Sequence, residues 1–213
     1  AAQINIMNTY LAAKYSLTIA NDKYAYDSNH GHEVAGIGRE NASNTHTAAM
    51  SGGILRISGA SALGDLDYLL FGHDNTDVTS TWTSTETPSD KSGIQRLSRE
   101  WRLDETGDVG TVDVTVDVAT LPSLPVDHTL YALMVDSDGD FSSGASVYEL
   151  TFSSGTEYTV NALTISDGDH VAIAAIEPLV QHTLSTSSDF EPNDAVVEVE
   201  LNFITATDRT VDY

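Results

Sequence analysis

The sequence predicts an all-β protein, an antiparallel β-sandwich with one short helix near its N-terminus. Three observations carry that expectation. Val112, Val114, Val116 and Val118 alternate with Asp113, Thr115 and Asp117, which gives a strand one dry face and one wet face. Late in the chain apolar segments recur at about ten-residue spacing, parted by Ser153-Ser154-Gly155 and Asp167-Gly168-Asp169, as in a sandwich. A convincing helical period occurs once, at Ile4, Met7, Leu11 and Tyr15.

In order, the helix is expected over Ile4–Leu17, its apolar stripe plugging one end of the sandwich. Residues 21–33 are polar and contain His30-Gly31-His32. Two histidines around a glycine can grip a transition metal, but no cysteine and no third histidine lies nearby in sequence. A solvated loop is therefore expected. Tyr24 and Tyr26 either pack on the core or stack on a sugar ring, and packing is the preferred reading. Gly36 and Gly38 lack the third glycine and the following helix of a phosphate loop. Glycines at alternate strand positions instead let a backbone or a large aromatic lie close.

Residues 41–50 read as a loop, and Ile54–Ile57 and Tyr68–Phe71 as short buried strands. His73-Asp74-Asn75 suggests an oriented base, yet no nucleophile elbow accompanies it, so a strand-ending turn is expected. Thr81–Thr85, around Trp82, reads as an edge strand. From Gln95 to Leu103, Leu97, Arg99, Trp101 and Leu103 share one face, which places Arg99 among apolar neighbours. A charge there is costly unless a carboxylate pairs with it, so a buried ion pair at Arg99 is expected ahead of anion capture. Tyr131–Val135, Val147–Phe152, Tyr158–Ile165 and Val171–Ile176 follow as strands. The expected division is a sandwich over 1–177 and an extension over 178–213. In the extension Val197, Val199, Leu201 and Phe203 alternate as one further strand that pairs back onto the sandwich.

The strand Tyr131–Val135 runs into Asp136-Ser137-Asp138-Gly139-Asp140. Carboxylates at positions 1, 3 and 5 of a tight loop repel one another unless a hard cation sits among them, and they open many calcium sites. The loop is not an EF-hand. Phe141 stands where glycine is expected, Val147 where a bidentate glutamate is expected, and no helix flanks it. Calcium bound by Asp136, Asp138 and Asp140 is the expectation, with Glu149, Asp104 and Asp108 as candidates for the remaining ligands. An empty solvated turn is the alternative.

Arg96–Val112 and Leu133–Phe141, with Asn8–Tyr15, Ala35–Glu40 and Leu69–Asn75, together resemble a β-rich domain of large bacterial surface adhesins, RTX-type ones among them, that often sits beside lectin-like modules. The similarity is spread over roughly residues 4–175. It implies an extracellular module on the bacterial cell surface, with neighbouring domains of a longer adhesin chain as partners. It imports no catalysis.

Composition narrows the classes further. The 213-residue chain carries 32 acidic residues against nine Lys plus Arg, a formal charge of −23. Such a surface repels phosphate backbones and anionic lipid, so neither nucleic-acid binding nor direct membrane insertion is expected. It suits divalent cations, or simply solubility. The chain has no cysteine, which removes thiolate sites, thiol nucleophiles and disulfides. No apolar run reaches the roughly 18 residues of a membrane helix, and no signal-peptide pattern opens the chain. The opening Ala1-Ala2 reads as a segment of a longer exported protein.

Three function classes follow. The expected one is a non-catalytic structural or display module of an adhesin, supporting cell attachment. The alternative is a carbohydrate-binding module that contacts cell-surface glycans through Tyr24, Tyr26 or Trp82. A glycoside hydrolase is set aside, because with 32 acids some carboxylate pair always falls at a workable distance.

Overall fold

The computed structural model describes residues 2–178. Two helices come first, α1 (Ala2–Tyr15) and α2 (Asp27–His30), and the rest is strand. The first six strands are β1 (His32–Asn41), β2 (Asn44–His46), β3 (Ala48–Ser51), β4 (Leu55–Ser58), β5 (Tyr68–His73) and β6 (Ile94–Thr106). Then come β7 (Thr111–Asp117), β8 (Leu130–Asp136), β9 (Ser146–Glu149), β10 (Thr151–Ser154), β11 (Glu157–Thr164) and β12 (His170–Ile176). They form a seven-stranded sheet, β2-β1-β5-β6-β12-β8-β9, and a five-stranded sheet, β10-β11-β7-β4-β3. Every pairing is antiparallel, so the fold is the all-β sandwich with one N-terminal helix of several turns that the sequence predicts.

The main core lies between the sheets. The inward positions of β6 and β7, Leu97, Trp101, Leu103, Val112, Val114 and Val116, meet Ile37, Leu69, Phe71, Leu133 and Ile173. Period-two alternation placed these residues together, because successive strand side chains point to opposite faces. The outer face of the seven-stranded sheet carries two smaller cores. One joins Ala2, Ile6, Tyr24 and Val34 to Tyr68 and Leu70. The other joins Phe141, Ala145 and Val147 to Ala132, Met134, Ala172 and Ala174. The N-terminal segment covers one, and the loop after β8 covers the other.

The helix packs the opposite way from expectation. Its buried residues are Ala2, Ile6, Thr9 and Ala12. Ile4, Met7 and Tyr15 are each more than half exposed, and Leu11 is exposed as well. The reason lies in what α1 rests on. At Gly38 the missing side chain is replaced by the Tyr68 ring, and at Gly36 by Leu70, so the sheet surface there is already filled. Small residues on the helix allow the close approach. Asn5 then donates to the Tyr68 hydroxyl at 3.0 Å and to Glu40 at 2.6 Å, which fixes the helix over β1. The alternate glycines thus accommodate an aromatic, as expected from their spacing.

Four other expectations are corrected. Residues 41–50 are not a loop but contain β2 and β3. Their small polar side chains carry no strand signal, and the pairing is imposed by β1 and β4. Thr81–Thr85 is reduced to one bridge, Thr83 with Arg96. The strand expected over 147–152 is two strands in different sheets, with the buried Leu150 at the crossing. The buried arginine is Arg96, not Arg99. Arg96 stays on the outer face with Glu100 and Arg102, and it is buried because the loop after β8 lays the Phe141 ring over it. Arg99 is half-buried and donates to the Thr76 carbonyl at 2.7 Å. The strand expected around Val197–Phe203, and the extension 178–213 that holds it, lie outside the described residues apart from Pro178 itself.

Candidate functional site

Chemistry-bearing residues converge where the two outer cores meet. Register places them: His170 at the start of β12 lies opposite Arg102 of β6 and opposite Asp136 of β8. Arg102 and Glu100 point outward because Trp101 and Leu103 point in. The N-terminal layer brings His30 to the same seam. Its carbonyl lies against Gly72, where any side chain would collide, and accepts from the Tyr24 hydroxyl at 3.2 Å.

The aspartate loop forms one border of this seam. Asp136 Oδ1 accepts from the amides of Asp138 and Gly139 at 2.8 and 2.9 Å. Asp138 Oδ1 accepts from the Asp140 amide at 2.9 Å, and Asp140 Oδ1 from Ser142. Each carboxylate therefore organises the next step of the loop, and the amide bond holds Asp138 below the usual aspartate range. Asp136 is buried, whereas Asp138 and Asp140 are exposed. Of the candidate further ligands, Asp104 accepts from the Ala25 amide and Asp108 from the Gly110 amide, and Glu149 is exposed on β9. Among the described residues, the aspartates do not form a group of three or more whose ligand atoms all lie within 4.8 Å of one another. Gly139, at φ +85°, lets the loop lie on the His170 ring, with a missing Cβ only 2.9 Å from Nδ1.

His30, Glu100 and His170 do form such a group, with one ligand atom from each within 4.8 Å of the others. His30 is therefore not in a solvated loop: it is 8% exposed and His170 is 7% exposed. The rings meet edge to face, 5.2 Å between centroids. His170 Nδ1 stands 3.7 Å from Glu100 Oε2, beyond hydrogen-bond range. The buried Nδ1 atoms of both histidines lack a hydrogen-bond partner. Burial first, and the neighbouring His170 second, push the His30 pKa down, so the neutral imidazole is favoured. Glu100 is held from behind: Arg96 Nη1 donates to its Oε1 at 3.1 Å, and the same guanidinium pairs with Glu86. Sequence reasoning missed His170 and Glu100 because each partner is seventy residues from the next. The one local signal was a histidine opening an otherwise apolar strand, His170–Ile176.

The remaining candidates separate. His73 closes β5 as a buried strand end, its Nδ1 accepting from the Asn75 amide at 3.0 Å, and burial lowers its pKa to about 4. Tyr24 is buried, as the packing reading expects, and Tyr26 lies under the Arg102 guanidinium. Trp82 sits in a different place, at one end of a row of rings. It lies 6.3 Å from Tyr131, which lies 4.9 Å from Tyr158, which lies 5.6 Å from Phe152.

Residues 3–169 match a domain family of unknown function, DUF8202, and the chain belongs to that family. No curated protein and no solved structure matches it.

Proposed function

We propose that the chain is a non-catalytic extracellular module of a bacterial surface adhesin, supporting attachment or displaying ligand-binding domains beside it. The observation that supports this reading is the outward stripe of α1. Ile4, Met7 and Tyr15 are 56%, 53% and 61% exposed, and Leu17 continues the patch at 54%. An apolar face left open on an otherwise acidic domain fits burial against a neighbouring domain of the same chain. The charge of −23 suits an exterior medium rich in cations, and an acid-rich loop suits calcium at Asp136, Asp138 and Asp140.

The calcium part is tested by melting in EDTA and in 10 mM calcium, with ionic strength matched by sodium chloride, because any salt relieves a charge this large. At a hundredfold excess over Kd the gain is about 2.7 kcal/mol, a rise of roughly 5–10 °C, and less for the weak sites of extracellular modules. Asp138→Asn removes most of the rise, while Asp117→Asn on β7 leaves it. Equal melting in matched sodium and calcium makes the loop an ordinary turn.

A second reading, a carbohydrate-binding module, is favoured by the row Trp82–Tyr131–Tyr158–Phe152. Phe152 is 60% exposed and the other three are half-buried, so the row presents aromatic surface to solvent at its Phe152 end. Retention of a defined sugar that Phe152→Ala abolishes would decide for it.

A further inference from the structure

We propose that His30, Glu100 and His170 bind one first-row transition-metal ion, with zinc as the probe, and that this ion pins the N-terminal layer onto the sheet. The site goes beyond the adhesin reading and does not depend on it. Two imidazole nitrogens and one carboxylate oxygen are the donor set of many zinc sites with an open fourth position. Calcium takes oxygen ligands, so the aspartate loop and this group differ in the ion they suit.

Geometry carries the assignment. A tetrahedral ion with bonds of about 2.0–2.1 Å sets its ligand atoms about 3.3 Å apart. Glu100 Oε2 and His170 Nδ1, at 3.7 Å, are too far for a hydrogen bond and close to that edge length. Two buried imidazole nitrogens without partners are costly, and an ion between the rings satisfies such a nitrogen without any rearrangement of the sheet. Arg96 supplies the support such a site requires. By holding Glu100 Oε1 it leaves Oε2 turned toward His170.

The topology supplies a consequence. His30 belongs to the N-terminal layer, Glu100 to β6 and His170 to β12, so one ion closes two loops of seventy residues. The layer over β1 and β5 is otherwise held by one small core and by hydrogen bonds from Asn5 and Tyr24, and the ion would add a clamp at its His30 end.

The test uses the whole chain, stripped with EDTA and dialysed, and titrated with zinc by calorimetry. One zinc per chain is expected, with Tm raised by about 5–10 °C at a hundredfold excess over Kd. His30→Gln and His170→Gln should each weaken zinc by at least about a hundredfold, since losing a ligand costs no less than losing its support. His32→Gln, exposed at the start of β1, should leave affinity unchanged. If either buried-histidine variant fails to fold, zinc-edge X-ray absorption of the wild-type protein decides. Two imidazole ligands are expected, and an all-oxygen shell overturns the proposal. Absence of zinc binding by the wild type, or binding that survives both folded histidine variants, overturns it equally.

Discussion

Replacing Trp101 by alanine is expected to cost about 3–5 kcal/mol, a large part of the stability of a domain this size. Trp101 is fully buried on the inner face of β6, between His73 of β5 and Val171 of β12 in the register. Its Nε1 donates to Ser51 Oγ at 3.1 Å, and Ser51 is itself fully buried. It lies edge-on to His73, 5.8 Å between centroids. Alanine therefore opens a cavity between the sheets and strands a hydroxyl with no partner. Trp101→Phe fills most of the volume but loses the hydrogen bond, and should cost about 1–3 kcal/mol. Urea denaturation of both variants measures the pair. A loss under about 1 kcal/mol for the alanine variant would mean that Trp101 does not organise the core.

The second large effect falls on Arg96. Its side chain is 5% exposed, against 17% for Glu100 and 46% for Glu86. It also donates from Nε to the Thr85 carbonyl at 3.1 Å and covers the Phe141 ring at 5.0 Å. Arg96→Ala leaves Glu100 charged and poorly solvated, which is expected to cost about 3 kcal/mol. Removing the half-exposed partner, Glu86→Ala, should cost under about 1 kcal/mol. The asymmetry is the informative result. Equal losses in thermal melts would show that the ion pair acts at the surface only.

How much of this was legible in the sequence depended on how local each cause is. Local patterns are properties of the strand itself, so β6 and β7 were readable from the alternation around Leu97 and Val114, and β8, β11 and β12 from apolar segments between turn residues. The helix was also readable, but not its buried face. Which side α1 turns inward is decided by the filled surface over Gly38 and Tyr68, far along the chain, against which Ala2 and Ile6 pack. The polar strands β2 and β3 follow from available pairing edges, which leave no mark on Asn44 or Ala48. Arg96 lies on the outer face, as alternation expects, but it is buried there by the Phe141 loop, a covering that β6 itself does not record. The aspartate loop stood out because its residues are consecutive. His30, Glu100 and His170 did not, because only the order of β6 and β12 in the sheet unites them.

The module reading rests on a place as well as a shape, and location is its most direct test. Antibody raised against the purified domain should label intact cells that make the protein, without permeabilisation. External protease should remove that label. Labelling that appears only after the cells are opened would contradict an extracellular adhesin module.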